Sequence, residues 1–392
     1  MNIIMLCDFF NNSLEYQENL LVKYYEKHGH KVTVISSTFE SIFDYYNDRH
    51  DNKVSSSISF IGTTTVHKLR YRYNILNRLR AYTTITPILE TAQPDLIYVH
   101  DIMLNFPEAI RYMKRHPHCR MIMDYHADYS NSGKNWLSLK ILHGVLRKWF
   151  LNRARPHLSR IFPVVPAGAT FLNEIYNVPF DEMEVLPLGA DTDLANAIAA
   201  ENQRTERRAV LGFNADDIVI FTGGKLTPLK RTEYLFDAVA KRADPRIKIV
   251  VVGKASEADS DYAIALNDRA TLLGGVHFMG WLGREDVYRH LDIADLAVFP
   301  ASQSVLWQQS IAMGLPLIVG DMGHQDVSYL NLHDNIIMLP TTDIRPESIA
   351  DAIKSVIIDR SRLDAMKEGA RRVADEHLNW NRLIARTLQF NA

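Results

Sequence analysis

Short β-rich runs alternate with helical patterns along this chain, and the whole alternation occurs twice in series. In the first half NIIMLC, KVTVISS, PDLIYVH, CRMIMDYH and RIFPVV have strand length, with helical patterns such as YQENLLVKYYEKHG between them. In the second half the strand-like runs are DIVIFTGG, IKIVVVGK, VHFMGWL, LAVFPA and PLIVGD, interspersed with TEYLFDAVAKR, REDVYRHLDIA, QQSIAMG and PESIADAIKSVI. Continuous apolar strands joined through helices build a parallel, doubly wound α/β sheet. At 392 residues the chain exceeds one ordinary core. Two Rossmann-like domains are therefore expected, over 1–188 and 189–375, with a closing helix over 376–392. The link is expected to run through PLGADTDLANAIAAENQRTER, where Pro187 and Gly189 break the pattern. Ligands of such sheets sit outside the carboxyl ends of the strands, which places the expected site in a cleft between the domains.

Composition narrows the class. Apolar and charged fractions of 47% and 23% are those of a soluble globular protein, and no run of 18 apolar residues is present. MNIIMLCDFF meets Asp8 before an apolar leader could form, so it reads as a first buried strand. Cys7 and Cys119 are isolated, which suits a reducing cytoplasm. Residues 1–180 carry 21 Lys+Arg against 15 Asp+Glu, and residues 181–392 carry 23 against 31. That asymmetry argues against general nucleic-acid binding and leaves the first half able to face an anionic surface.

The stretch FTGGKLTPLKRTEYLFDAV holds the most chemistry. Gly223 and Gly224 follow a strand and let the backbone approach a ligand, while Lys225 and Lys230 bring two cations to the start of a helix. This suits a diphosphate, and equally a plain turn with two solvated lysines. His126 in MDYHADYS ends a strand, where a ligand would sit, but between Asp124 and Asp128 it could also be a structural loop residue. His100 ends another strand and reads as structural or acceptor-side. Asp191/Asp193 and Asp259/Asp261 read as solvated loop carboxylates. Glu15, Tyr16 and Gln17 open the first helix, as acceptor or phosphate contacts or as simple caps. Residues 67–82 interleave Arg70, Arg72, Arg78 and Arg80 with Tyr71, Tyr73, Leu76 and Leu79. They are expected to form a helix lying on an anionic membrane surface, or else a solvated basic helix, with Arg147, Lys148, Arg153 and Arg155 either extending the patch or covering the inter-domain hinge.

Taken in order, HGHKVTVISS, PDLIYVHD, MDYHADYS, EVLPLGADTD, GGKLTPLKRTEYLFDAV, VHFMGWLGREDVYRHLDIADLAVFP, QQSIAMGLPLIV and EHLNWNRLIART cover nearly the whole chain. Together they resemble the retaining glycosyltransferases of family 4, which have the GT-B fold, in their bacterial surface-polysaccharide form. The resemblance implies a hexosyltransferase that moves sugar from a UDP- or GDP-sugar to a glycan or lipid-linked acceptor. It implies neither metal nor cofactor beyond that co-substrate, and a cytoplasmic place, peripheral at the inner face of the membrane. Lys225 and Lys230 match the family's diphosphate-binding pair, lysine standing at 225 where arginine is usual, and Gly224 lies beside them. His126 matches the histidine that touches the donor sugar or reacting oxygens.

The family's Glu-x7-Glu pair is absent. Gln309 falls at the second glutamate, and Gln303 and Ser304 fall near the first, as candidates for ribose and sugar hydroxyls. No carboxylate pair offers itself as nucleophile and acid/base, in line with a mechanism in which the leaving phosphate takes the acceptor proton. Two other readings stay open: a catalytically silent relative serving as a binding or scaffold subunit, and a nucleotide-sugar 2-epimerase-like isomerase.

Overall fold

The computed structural model describes residues 1–11, 16–41, 45, 55–75, 79–132, 136, 138–301, 303–322 and 327–389. The chain divides into two compact units, Met1–Pro187 with Trp380–Ala392, and Leu188–Asn379.

The first unit is built on β1 (Asn2–Leu6), β2 (Lys31–Ser37), β3 (Ser57–Ile61), β4 (Thr64–Leu69), β5 (Tyr71–Ile75), β6 (Leu79–Tyr82), β7 (Leu96–His100), β8 (Arg120–Tyr125) and β9 (Arg160–Pro163). Its seven-stranded sheet runs β3-β4-β2-β1-β7-β8-β9, parallel throughout except for β3 against β4. Side chains alternate across the pleat, so β1 feeds two cores. Ile4 and Leu6 pack with Ile97, Val99, Met121 and Met123 on one face. Ile3 and Met5 pack with Leu96, Tyr98, Ile122 and Phe162 on the other, covered by the helix Gln17–Lys27 and the returning helix Trp380–Leu388. Those helices are joined by Tyr25 to Thr387 at 2.5 Å and His28 to Asn381 at 2.9 Å.

Residues 67–82 do not form the expected helix. The chain leaves β4 and turns into the antiparallel pair β5–β6, and positions Leu76 and Arg78 lie outside the described residues. Aromatic and basic residues strictly alternate from Arg70 to Tyr73, a period of two that suits a strand. Arg70 and Arg72 are exposed, but Arg80 turns inward to Asp8 at 2.5 Å, with its guanidinium over the ring of Tyr45. The interleaved segment is therefore tied to the end of β1.

The second unit carries β10 (Ile218–Gly223), β11 (Ile247–Val252), β12 (Val276–Gly280), β13 (Leu296–Phe299), β14 (Leu317–Gly320) and β15 (Ile336–Leu339). They form a parallel six-stranded sheet in the order β12-β11-β10-β13-β14-β15, the doubly wound 3-2-1-4-5-6 arrangement. Its direction reverses between β10 and β13, and the crevice beyond their carboxyl ends is where such a sheet takes a ligand.

The segment read as a link is instead two helices of this unit, Thr192–Ala200 and Arg204–Val210. Asp191 is a buried cap and not a solvated loop carboxylate. It accepts from the Leu194 N–H at 3.1 Å and pairs with Arg284 at 3.2 Å. Asp259 accepts from the Ser256 hydroxyl at 2.5 Å beside the start of the helix Ser260–Leu273, and Asp261 is exposed in its first turn.

Candidate functional site

In the second unit the chain leaves β10 through Gly223 and Gly224. A Cβ on Gly223 would stand 2.2 Å from the Val252 carbonyl, and Gly224 has φ +112°, so neither position accepts a side chain without strain. The turn then runs through the short helical turn Pro228–Lys230 into the helix Thr232–Arg242. Lys230 bends back, and its ammonium donates to the Gln303 carbonyl at 2.7 Å. Gln303 follows β13, so this bond crosses the point where the sheet reverses. The position of a Gly224 Cβ lies 3.5 Å from the Ser304 hydroxyl and 3.6 Å from Lys230 Nζ, which brings the three residues to one corner. Burial pushes the Lys230 ammonium down to about 8.

The expected residues differ in how they reach this corner. Lys225 is exposed. Gln303 contributes its backbone carbonyl to Lys230. Ser304 accepts the Leu306 N–H at 3.3 Å just ahead of the helix Leu306–Ala312, and Gln309 lies half-buried in that helix. Sequence reasoning missed Gln308, which is buried with its Oε1 lacking a hydrogen-bond partner among the described residues. The only signal for it was its place beside Gln309.

In the first unit the ends of β7 and β8 gather a second group. Asp124 is fully buried, and its Oδ2 meets His100 Nδ1 at 2.8 Å, His126 Nε2 at 3.3 Å and the Tyr98 hydroxyl at 3.2 Å. Burial alone would disfavour the charged imidazolium of His126, but Asp124 overrides it and holds the group up to about 9. Burial likewise opposes the Asp124 carboxylate, and the two histidines keep it well below the usual carboxylate range. These three side chains could also hold a metal ion, since each offers a ligand atom within 4.8 Å of the others. Two imidazoles directed at one carboxylate oxygen are equally the arrangement of a shared ion pair.

Asp101, at φ +63°, accepts from Arg147 at 2.6 Å and from the Ile102 N–H at 2.7 Å. Burial raises its carboxyl, but Arg147 brings it below the ordinary value. Tyr16 precedes the helix Gln17–Lys27 in extended backbone. Gln17 is buried with both amide atoms lacking hydrogen-bond partners among the described residues, which is unlike a cap. Glu15 lies outside the described residues. Asp128 closes its own turn through Ser130 and Asn131. Asp124, which charges His126, and His100, which shares that carboxylate, were underweighted in sequence, although an aspartate inside the apolar run of β8 was a signal for Asp124.

Two family models match the chain. The one described as Glycosyltransferase Family 4 covers residues 19–194, and the one described as Glycosyl transferases group 1 covers residues 203–373. The chain belongs to the family 4-like glycosyltransferases. Its fold is GT-B: HepE of Anabaena, solved in complex with UDP, matches 99% of both chains with a TM-score of 0.68 at 18% identity. WaaG, a glycosyltransferase involved in lipopolysaccharide biosynthesis, matches 99% of this chain and 100% of its own, with a TM-score of 0.60 at 15% identity. A D-inositol 3-phosphate glycosyltransferase of Mycobacteroides abscessus is 27% identical over 53% of this chain and 44% of its own length. An uncharacterized glycosyltransferase of Methanocaldococcus jannaschii is 22% identical over 77% of this chain and 76% of its own. The chain spans about half the length of the first curated relatives it matches. Among the described residues no helix is long and apolar enough to cross a membrane.

Proposed function

We propose that this protein is a retaining hexosyltransferase. It moves a sugar from a nucleotide diphosphate sugar to a glycan or lipid-linked acceptor in surface polysaccharide synthesis, at the inner face of the cell membrane. The second unit, Leu188–Asn379, takes the donor, and the first, Met1–Pro187 with Trp380–Ala392, takes the acceptor. The observation that carries the reading is Lys230, a desolvated ammonium held at the reversal point of a doubly wound sheet beside a glycine turn. A similar protein solved with UDP favours the UDP-linked donor over the GDP-linked one.

In this reading Lys230, Lys225 and the Gly224 backbone bind the diphosphate, while Gln303, Ser304 and Gln309 meet ribose and sugar hydroxyls. The bond from the anomeric carbon to the diphosphate breaks as the acceptor oxygen bonds to the same face of that carbon. The acceptor proton passes to the departing phosphate oxygen. Charge grows on the leaving group, where a preorganised lysine is worth most. His126, kept cationic by Asp124, donates a hydrogen bond to the donor sugar or the reacting oxygens. Tyr16 and Gln17 face the acceptor. The positive charge comes from side chains, so the reaction needs neither metal nor cofactor.

Gln309, where the family has glutamate, favours one second reading, a silent binding subunit. A thermal-shift screen with UDP, GDP, ADP and their sugars separates the two. Stabilisation by a nucleotide sugar, with slow donor hydrolysis, supports the enzyme; no response to any nucleotide supports the silent subunit.

A further inference from the structure

The first unit carries a helix with apolar residues on both its faces: Leu139, Phe150, Leu151 and Ala154 pack toward the core, and others stand outside. A π-helical stretch, Ser138–Arg147, runs directly into the helix Lys148–Ala154. Its inward stripe is His143, Arg147 and Leu151, all buried. Two of these are polar and have partners inside: His143 lies 2.7 Å from the Tyr176 hydroxyl, and Arg147 donates to Asp101. The outward stripe, at the same four-residue spacing, is Ile141, Val145 and Trp149, exposed by 43%, 59% and 54%. Leu146 widens it, and Trp136, just ahead, is 69% exposed. Single exposed apolar residues are ordinary, but a contiguous stripe ending in tryptophan marks an interaction face.

Charge says what covers it. From Tyr129 through Asn173 there is no Asp or Glu. Lys140 and Arg153 are exposed and Lys148 half-buried along the stripe, with the Arg153 guanidinium 4.9 Å from the Trp149 ring centroid. A second copy of the chain meeting this face symmetrically would set the same cations against one another. A bilayer with anionic headgroups complements both features, since it receives tryptophan at its interface and attracts flanking lysine and arginine.

We propose that the face formed by Trp136, Ile141, Val145 and Trp149, with Lys140, Lys148 and Arg153 beside it, seats the protein on an anionic phospholipid surface. This moves the membrane contact away from residues 67–82, where Arg80 is occupied by Asp8. Arg147 ties the same helix to Asp101, one residue beyond His100 at the end of β7. The inference deepens the lipid-linked acceptor of the proposed function and rests on it for the acceptor alone. Vesicle binding needs neither donor nor acceptor, so the two readings fail separately.

Co-sedimentation with neutral phosphatidylcholine vesicles, and with vesicles containing anionic phosphatidylglycerol, tests it on the full chain. The protein should pellet with the anionic vesicles and not with the neutral ones, and salt should release it. Ile141→Ser/Val145→Ser/Trp149→Ser should weaken vesicle binding at least about tenfold, and Lys140→Ala/Lys148→Ala/Arg153→Ala should do likewise. Both variants change surface side chains, and unchanged far-ultraviolet dichroism confirms that they fold. Equal pelleting of the variants and the wild type overturns the proposal, as does failure of the wild type to bind. A change in oligomeric state on light scattering without vesicle binding assigns the face to a second copy and overturns it too.

Discussion

Lys230 and His126 are the two cations on which the proposed chemistry turns, and opposite forces set their protonation. Burial lowers Lys230 to about 8, so the free protein loses that charge as pH rises through 8. A bound diphosphate favours the charged form, so binding near pH 8–9 should take up a proton and affinity should fall as pH rises. Calorimetry in buffers of different ionisation enthalpy reads this directly; proton release or no exchange in that range would remove the diphosphate from Lys230. His126 runs the other way. Its value is raised to about 9, so its pairing with Asp124 contributes fully below about pH 6.5 and is lost as pH rises through about 9. Melting curves of the wild type and His126→Gln should therefore converge between pH 7 and 10. A constant gap across that range would show that the ion pair carries no stability.

At the scale of elements, Asp191 opens the helix Thr192–Ala200 and holds Arg284 with a buried carboxylate. Asp191→Ala should cost at least about 1 kcal/mol in urea unfolding, through the lost cap alone. No measurable change would mean that water replaces both contacts. Several helices were legible in sequence, with Thr232–Arg242 and Pro346–Ile357 beginning and ending where their apolar periodicity does. Residues 67–82 were misread because arginine and tyrosine give no clear apolar stripe, so basic composition outweighed the two-residue alternation. The Asp191 cap lay in a polar stretch that resembled a link, and its partner Arg284 is remote in sequence. Among the site residues, Gly224 and Lys230 were legible from local spacing. The charging of His126 was not, because spacing does not show that Asp124 is fully buried with its carboxylate turned toward that ring.

Across the whole molecule the chain crosses back at its end to complete its first unit. Trp380 is fully buried in the core lined by Tyr24, Tyr25 and Leu383. Trp380→Ala should cost the first unit about 3–5 kcal/mol. Hydrogen exchange should show the loss in β1 and the helix Gln17–Lys27; protection there equal to the wild type would mean the returning helix adds little.

The central claim, that the corner at Lys230 holds the diphosphate of the donor, is tested most directly by UDP titration into the wild type and Lys230→Ala at pH 7. The account predicts binding to the wild type, at least about tenfold weaker binding to a variant that melts like it, and turnover lower by about 10²–10³-fold. Equal UDP affinity in the two proteins would contradict it.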